Sequence, residues 1–138
     1  MIKITKESSV SIDDVLHLYQ AVGWTNYTNQ PQMLEQALSH SLAIYLALDG
    51  DAVVGLVRLV GDGFSSVFVQ DLIVLPSYQR QGIGSDLMKE ALGDFKDAYQ
   101  VQLATEQTEK TLGFYRSLGF ETLSTYDCTG MIWVDRKK

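Results

Sequence analysis

The chain has one cysteine, two histidines and two prolines among its 138 residues. A single thiol, Cys128, cannot close an internal disulfide, which suits a reducing compartment. Free cysteine usually packs as a small hydrophobe, so Cys128 reads as a structural thiol rather than a nucleophile. His17 and His40 have no metal-ligand spacing and no second cysteine nearby, so no metal site is expected. No apolar run reaches the roughly 18 residues needed to cross a membrane, and the alternating start Met1-Ile2-Lys3-Ile4-Thr5-Lys6 lacks the apolar centre of a signal peptide. A cytoplasmic protein without a membrane partner is the expectation. Basic residues are also scarce: 11 Lys and Arg against 17 Asp and Glu give a net charge of −6. That balance argues against nucleic acid, whose phosphates demand basic patches. It suits a cationic small molecule or simple solubility.

What is present is an ordinary globular composition, 46% hydrophobic and 20% charged, enough for one domain with a core, residues 1–138. Ile2 and Ile4 alternate with polar residues and predict a first strand. Ser11-Ile12-Asp13-Asp14 has the form of a capping box, followed by Val15, Leu18, Tyr19 and Val22 at helical spacing and by a stop at Gly23. Trp24 to Asn29 reads as an aromatic loop, and Pro31 opens a second helix with Met33, Leu34, Ala37 and Leu38 on its apolar face. Leu42–Leu48 and Ala52–Val60 flank Asp49-Gly50-Asp51, a hairpin signal. Val67–Val74 is a further strand, which Pro76 ends. A helix carrying Ile83, Leu87, Met88, Ala91, Leu92 and Phe95 follows, then a short strand at Val101 and Leu103. A last helix from Thr108 or Thr111 ends at Gly119, and Phe120–Thr125 with Met131–Val134 reads as a closing strand pair. The order β-α-α-β-β-β-α-β-α-β-β implies an α/β (α+β) fold, a mixed central sheet flanked by helices.

The chemistry concentrates at the junction Val74-Leu75-Pro76-Ser77-Tyr78-Gln79-Arg80-Gln81-Gly82-Ile83-Gly84-Ser85. Its glycines allow a tight turn and a close backbone approach. The helix behind them leaves its first N–H groups unpaired, a natural place for a phosphate or pyrophosphate. A P-loop is excluded because Ser85 and Asp86, not Lys and Ser/Thr, follow Gly84. A dinucleotide fingerprint is excluded because Leu87 stands where its third glycine belongs.

The pattern Gln79-x-x-Gly82-x-Gly84 resembles the Gln/Arg-x-x-Gly-x-Gly/Ala motif of the GNAT acetyltransferases, and the element order matches that family over almost the whole chain. The resemblance implies acetyl-CoA as cosubstrate. Its pyrophosphate would lie on Gln79, Arg80, Gln81, Gly82, Ile83, Gly84 and Ser85, and its pantetheine arm along the backbone of Leu72, Ile73 and Val74, with an N–H of Ile73 or Val74 facing the oxyanion. Phe114-Tyr115-x-x-x-Gly119-Phe120 is similar to a second family segment, whose tyrosine protonates the leaving thiolate; Tyr115 matches it. Where many members carry Asn and Ala upstream of that tyrosine, this chain has Thr108 and Thr111. Asp71, which interrupts the apolar run before Leu72, is the candidate base, with binding a backbone group or orienting the substrate as its other roles. In the family the first helices border the acceptor, which implicates Trp24 and Tyr27 and suits an aromatic amine. Val22-Gly23-Trp24 and Gly130-Met131-Ile132-Trp133 are similar to segments of small arylalkylamine-acetylating relatives, while a peptide N-terminus, lysine, polyamine or aminoglycoside stays open. The resemblance thus implies transfer of an acetyl group to a small-molecule or peptide amine, and it admits a homodimer through the late strands. The alternative is a non-catalytic acyl-CoA-binding module.

Overall fold

A computed structural model describes residues 1–135 and divides the chain into two compact units, Met1–Leu103 and Ala104–Lys138. In the first, β1 (Ile2–Glu7) leads into α1 (Ile12–Ala21), α2 (Thr25–Thr28) and α3 (Pro31–Ser39). Three strands follow, β2 (Ala43–Asp49), β3 (Ala52–Gly61) and β4 (Ser66–Val74), then α4 (Ile83–Asp94) and β5 (Gln100–Leu103). The sheet order is β1-β2-β3-β4-β5. The first three junctions are antiparallel and the last is parallel, as a crossover helix between β4 and β5 requires. The expected mixed sheet flanked by helices is the observed fold.

Local chemistry explains the early elements. Asp14 caps α1 reciprocally, its carboxylate accepting from the Ser11 N–H at 3.3 Å and from the Ser11 hydroxyl at 3.2 Å. Pro31 occupies the first turn of α3, where its missing N–H costs nothing. Val15, Leu18, Tyr19, Tyr27, Leu34 and Leu38 pack on one face of the sheet, against Ile44, Leu46, Leu56 and Ile73. The other face carries α4, which buries Ile83, Leu87, Met88 and Ala91. Gly55, the neighbour of Leu56, faces that side: a Cβ on it would lie 3.2 Å from Leu87 Cδ1. Gly93 sits in α4 with no heavy atom within 4 Å of where a Cβ would be. Gly93→Ala is therefore expected to stabilise the protein by about 0.5–1 kcal/mol, since only helix propensity changes. A higher urea midpoint checks it.

Four expectations need correction. Trp24–Asn29 is not a loop throughout, because Thr25–Thr28 forms one helical turn around the buried Tyr27. Met33 lies outside the buried stripe of α3 and is 39% exposed. Phe120–Thr125 and Met131–Val134 form no strands among the described residues. In the second unit α5 (Glu109–Ser117) is followed instead by a 3-10 turn, Leu123–Tyr126, in which the Thr122 hydroxyl bonds those of Ser124 at 2.9 Å and Thr125 at 3.4 Å. Short hydroxyl side chains that close local rings compete with a sheet ladder, and Asp127 then turns the chain with φ +58°. Cys128, beyond that turn, is exposed rather than packed.

Candidate functional site

Two irregularities of β4 shape the site. The register steps from Arg58↔Asp71 to Leu59↔Val69, so Gln70 is an extra residue with no partner on β3. A bulge of this kind bends its strand and re-aims side chains. On the other side, β5 pairs only with Ser66–Val69. From Gln70 to Val74 no strand among the described residues pairs with that edge, which leaves it open to an extended ligand. Leu72, Ile73 and Val74 lie on this open edge, with the Val74 carbonyl accepting from Gln79 Nε2 at 3.1 Å.

The loop leaving β4 is pinned at several points. Leu75 N–H donates to Val54 O at 2.9 Å, and Tyr78 closes a 3-10 turn, Pro76–Tyr78, donating its N–H to Leu75 O at 2.8 Å. The Tyr78 hydroxyl reaches the Asp49 carboxylate at 2.6 Å, a bond that raises the pKa of the phenol. Arg80 and Gly82 both take positive φ, +65° and +82°, and the space around Gly82 is open: apart from its chain neighbours, no described heavy atom lies within 4 Å of an added Cβ. Gly82 is also the N-cap of α4, and no side chain caps that end. The contrast with α1 is plain, and with α5, where Thr108 Oγ1 accepts from the Thr111 N–H at 3.2 Å. At α4 the first N–H groups of Ile83, Gly84 and Ser85 remain for a ligand, and the helix dipole favours an anionic one. Arg80 and Gln81 are exposed beside them. This open strand edge and uncapped helix end fit an elongated ligand that carries an anionic group.

Asp71 stands at the bulge, on the helix α1–α3 side, and its surroundings were not legible as a cluster. Arg58 Nε donates to Asp71 Oδ2 at 2.7 Å, and the pair is 4% and 2% exposed. The Tyr19 hydroxyl donates to the same oxygen at 2.8 Å, and the Tyr27 hydroxyl to Oδ1 at 2.9 Å. Arg58 also donates to the Tyr27 oxygen at 3.2 Å and to Ser41 Oγ at 3.3 Å, and Gln70 Nε2 approaches the Tyr27 oxygen at 3.4 Å. Burial raises the pKa of Tyr19 and of Tyr27, with the Asp71 charge adding to both. For Arg58 burial works the other way, but Asp71 outweighs it and the net shift is upward. Trp24, half-buried, packs edge-on to Tyr19 at 6.1 Å and tilted against Tyr27 at 6.3 Å between ring centroids. Sequence reasoning named Asp71, Trp24 and Tyr27 but missed Arg58, Tyr19 and Gln70. A usable signal existed: Arg58 and Asp71 each interrupt an apolar strand with a charge, and their signs are opposite.

In the second unit Tyr115 lies on α5, its ring edge-on to Phe114 at 5.0 Å and Phe120 at 5.9 Å. Burial raises the pKa of its phenol, so it stays protonated throughout the neutral range. Thr108 spends its hydroxyl on the cap of α5. Among the described residues no group of His, Cys, Asp and Glu could hold a metal, and no helix is long and apolar enough to cross a membrane.

The family described as an acetyltransferase (GNAT) domain matches residues 40–122. A curated relative, serotonin N-acetyltransferase 2, chloroplastic, of Oryza sativa subsp. japonica, is 32% identical over 95 residues, 66% of this chain and 48% of that protein. The chain thus spans about half the length of that relative. A solved GNAT family acetyltransferase from Streptococcus pneumoniae is 81% identical with a TM-score of 0.92, covering 99% of each chain. The PaiA N-acetyltransferase of Thermoplasma acidophilum, solved in complex with coenzyme A, is 18% identical, with a TM-score of 0.69 over 88% of this chain and 90% of that one, and so shares the fold alone.

Proposed function

Since this chain belongs to the GNAT acetyltransferase family, we propose that it moves an acetyl group from acetyl-CoA to a primary amine, its two units working as one domain in the cytoplasm. The observation that carries this reading is the uncapped end of α4 behind Gly82, set beside the unpaired Gln70–Val74 edge. Ile83, Gly84 and Ser85 would offer main-chain N–H groups to the diphosphate, with Gln79, Arg80 and Gln81 around it. Leu72, Ile73 and Val74 would hold the pantetheine arm as an added strand, and a main-chain N–H of Ile73 or Val74 would face the developing oxyanion. Acetyl-CoA supplies the activated carbonyl carbon and the thiolate leaving group. The amine nitrogen forms the new C–N bond as the C–S bond breaks, Tyr115 Oη gives its proton to the sulfur, and the proton shed by the nitrogen returns to solvent or phenolate.

Tyr115→Phe keeps the ring contacts with Phe114 and Phe120 and removes only the hydroxyl. It is expected to lower kcat at least about tenfold, with acetyl-CoA affinity within twofold. Unchanged kcat would remove Tyr115 from the mechanism.

For the acceptor, an aromatic amine comes first. Trp24 offers a half-buried ring beside the bulge, and the rice relative is named for serotonin, an arylalkylamine. Thiol release measured with 2-phenylethylamine, spermidine, a lysine-bearing peptide and a free peptide N-terminus tests the whole reading. Turnover with at least one of them is expected. Tight acetyl-CoA binding with no turnover would instead favour the acyl-CoA-binding module, a reading that gains from Thr108 being used as a helix cap. A homodimer belongs to the same proposal: Met131, Ile132 and Val134 are between 73% and 95% exposed, an apolar stretch that suits a second copy.

A further inference from the structure

The buried group around Asp71 has a direction as well as a shape. A carboxylate can only accept hydrogen bonds, so the Tyr27 hydroxyl, 2.9 Å from Asp71 Oδ1, must give its one proton there. Arg58, which can only donate, takes one lone pair of the same phenol oxygen at 3.2 Å. Toward Gln70 the phenol oxygen is then left as an acceptor, so the Gln70 amide must turn its NH2 inward, at 3.4 Å. Its carbonyl oxygen is left facing outward. Gln70 is exposed, unpaired on β3, and stands at the first position of β4 beyond the end of β5. The buried pair therefore fixes which end of an amide is shown at the mouth of the open strand edge.

We infer that Gln70 is a specificity-determining contact for the acceptor amine, its Oε1 accepting an N–H of the nucleophile. In this arrangement Tyr27, Asp71 and Arg58 are positioning residues that set the polarity of that amide without touching the amine. Asp71, 2% exposed and already accepting three hydrogen bonds, acts through Tyr27 rather than as the proton acceptor. The inference rests on the acetyltransferase reading, since it needs an amine beside β4.

Kinetics with whichever amine of the panel above is turned over separate the two. Gln70→Leu is expected to raise the KM for the amine at least tenfold, with kcat within threefold and acetyl-CoA affinity within twofold. Tyr27→Phe releases the amide and is expected to raise the same KM at least threefold. Tyr19→Phe takes a hydrogen bond from the same carboxylate but has no link to Gln70, so its KM stays within twofold. A Gln70→Leu enzyme with unchanged KM overturns the inference, as do equal effects of Tyr19→Phe and Tyr27→Phe, which would make the group purely structural. Asp71→Asn is expected to keep the acidic limb of the pH–rate profile; loss of that limb would make Asp71 the base and overturn its positioning role. Absence of turnover with every amine overturns the acetyltransferase reading itself, and this inference with it.

Discussion

Methionine in place of Arg58 is expected to destabilise the protein by about 3–5 kcal/mol, because it strands a buried carboxylate without its cation. Asp71 is 2% exposed and cannot recover its charge compensation from water. The two phenols that remain on it, Tyr19 and Tyr27, supply hydrogen bonds but no positive charge. The pair Arg58→Met/Asp71→Leu is expected to recover only part of that loss. It removes both charges, but it leaves the buried Tyr19 hydroxyl without its carboxylate acceptor, at about 1–3 kcal/mol, and leaves the Tyr27 hydroxyl to donate to a turned Gln70 amide. Adding Tyr19→Phe and Tyr27→Phe removes those donors too. Urea unfolding should thus rank the single variant lowest, the double above it and the fourfold variant highest. A double variant no more stable than the single would show that charge pairing is not what holds this group. The fourfold variant carries a second expectation. However stable it is, nothing in it fixes the Gln70 amide, so its amine KM should stay high. Stability and recognition would then separate in one protein.

Local signals carried most of the first unit. A capping box at Ser11 and Asp14, proline at the start of α3 and an Asp49-Gly50 turn each act over four residues or fewer, and each is found where the sequence puts it. The misses are segments whose fate depends on partners far away in the chain. Thr25–Thr28 is polar and short, and it curls into a helical turn where Tyr27 reaches a carboxylate 44 residues on. Phe120–Thr125 has the composition of a strand, but its hydroxyls find one another first.

The same division runs through the site. Gln79, Gly82 and Gly84 lie within six residues, so the motif they form could be read in one dimension. The Arg58–Asp71 pair is set by the register of β3 on β4, and Gln70 by a one-residue slip in that register. No spacing rule announces a bulge. Two lone charges of opposite sign in neighbouring apolar strands were the available hint, and the burial of both makes pairing nearly obligatory.

Valine at Gly82 is expected to weaken acetyl-CoA binding at least about a hundredfold, equivalent to roughly 2.7 kcal/mol, while the fold survives. Two effects combine. Gly82 sits at φ +82°, where a β-branched residue is strained by about 1–3 kcal/mol. Relief of that strain would rotate the peptide units that lead into α4 and turn their N–H groups off the ligand. The second effect is occupation. Apart from Gly82 itself and its chain neighbours, no described heavy atom lies within 4 Å of a Cβ there, so the folded state loses little beyond the strain. The emptiness matters because that is the space in front of the uncapped helix end, where the diphosphate would lie. Alanine carries part of the strain with a smaller obstruction and should fall between the two. Calorimetric titration with acetyl-CoA, beside thermal unfolding of the free protein, separates these effects. A Gly82→Val protein that binds acetyl-CoA as tightly as the native chain would place the diphosphate elsewhere. It would also leave the open end of α4 without a ligand to explain it.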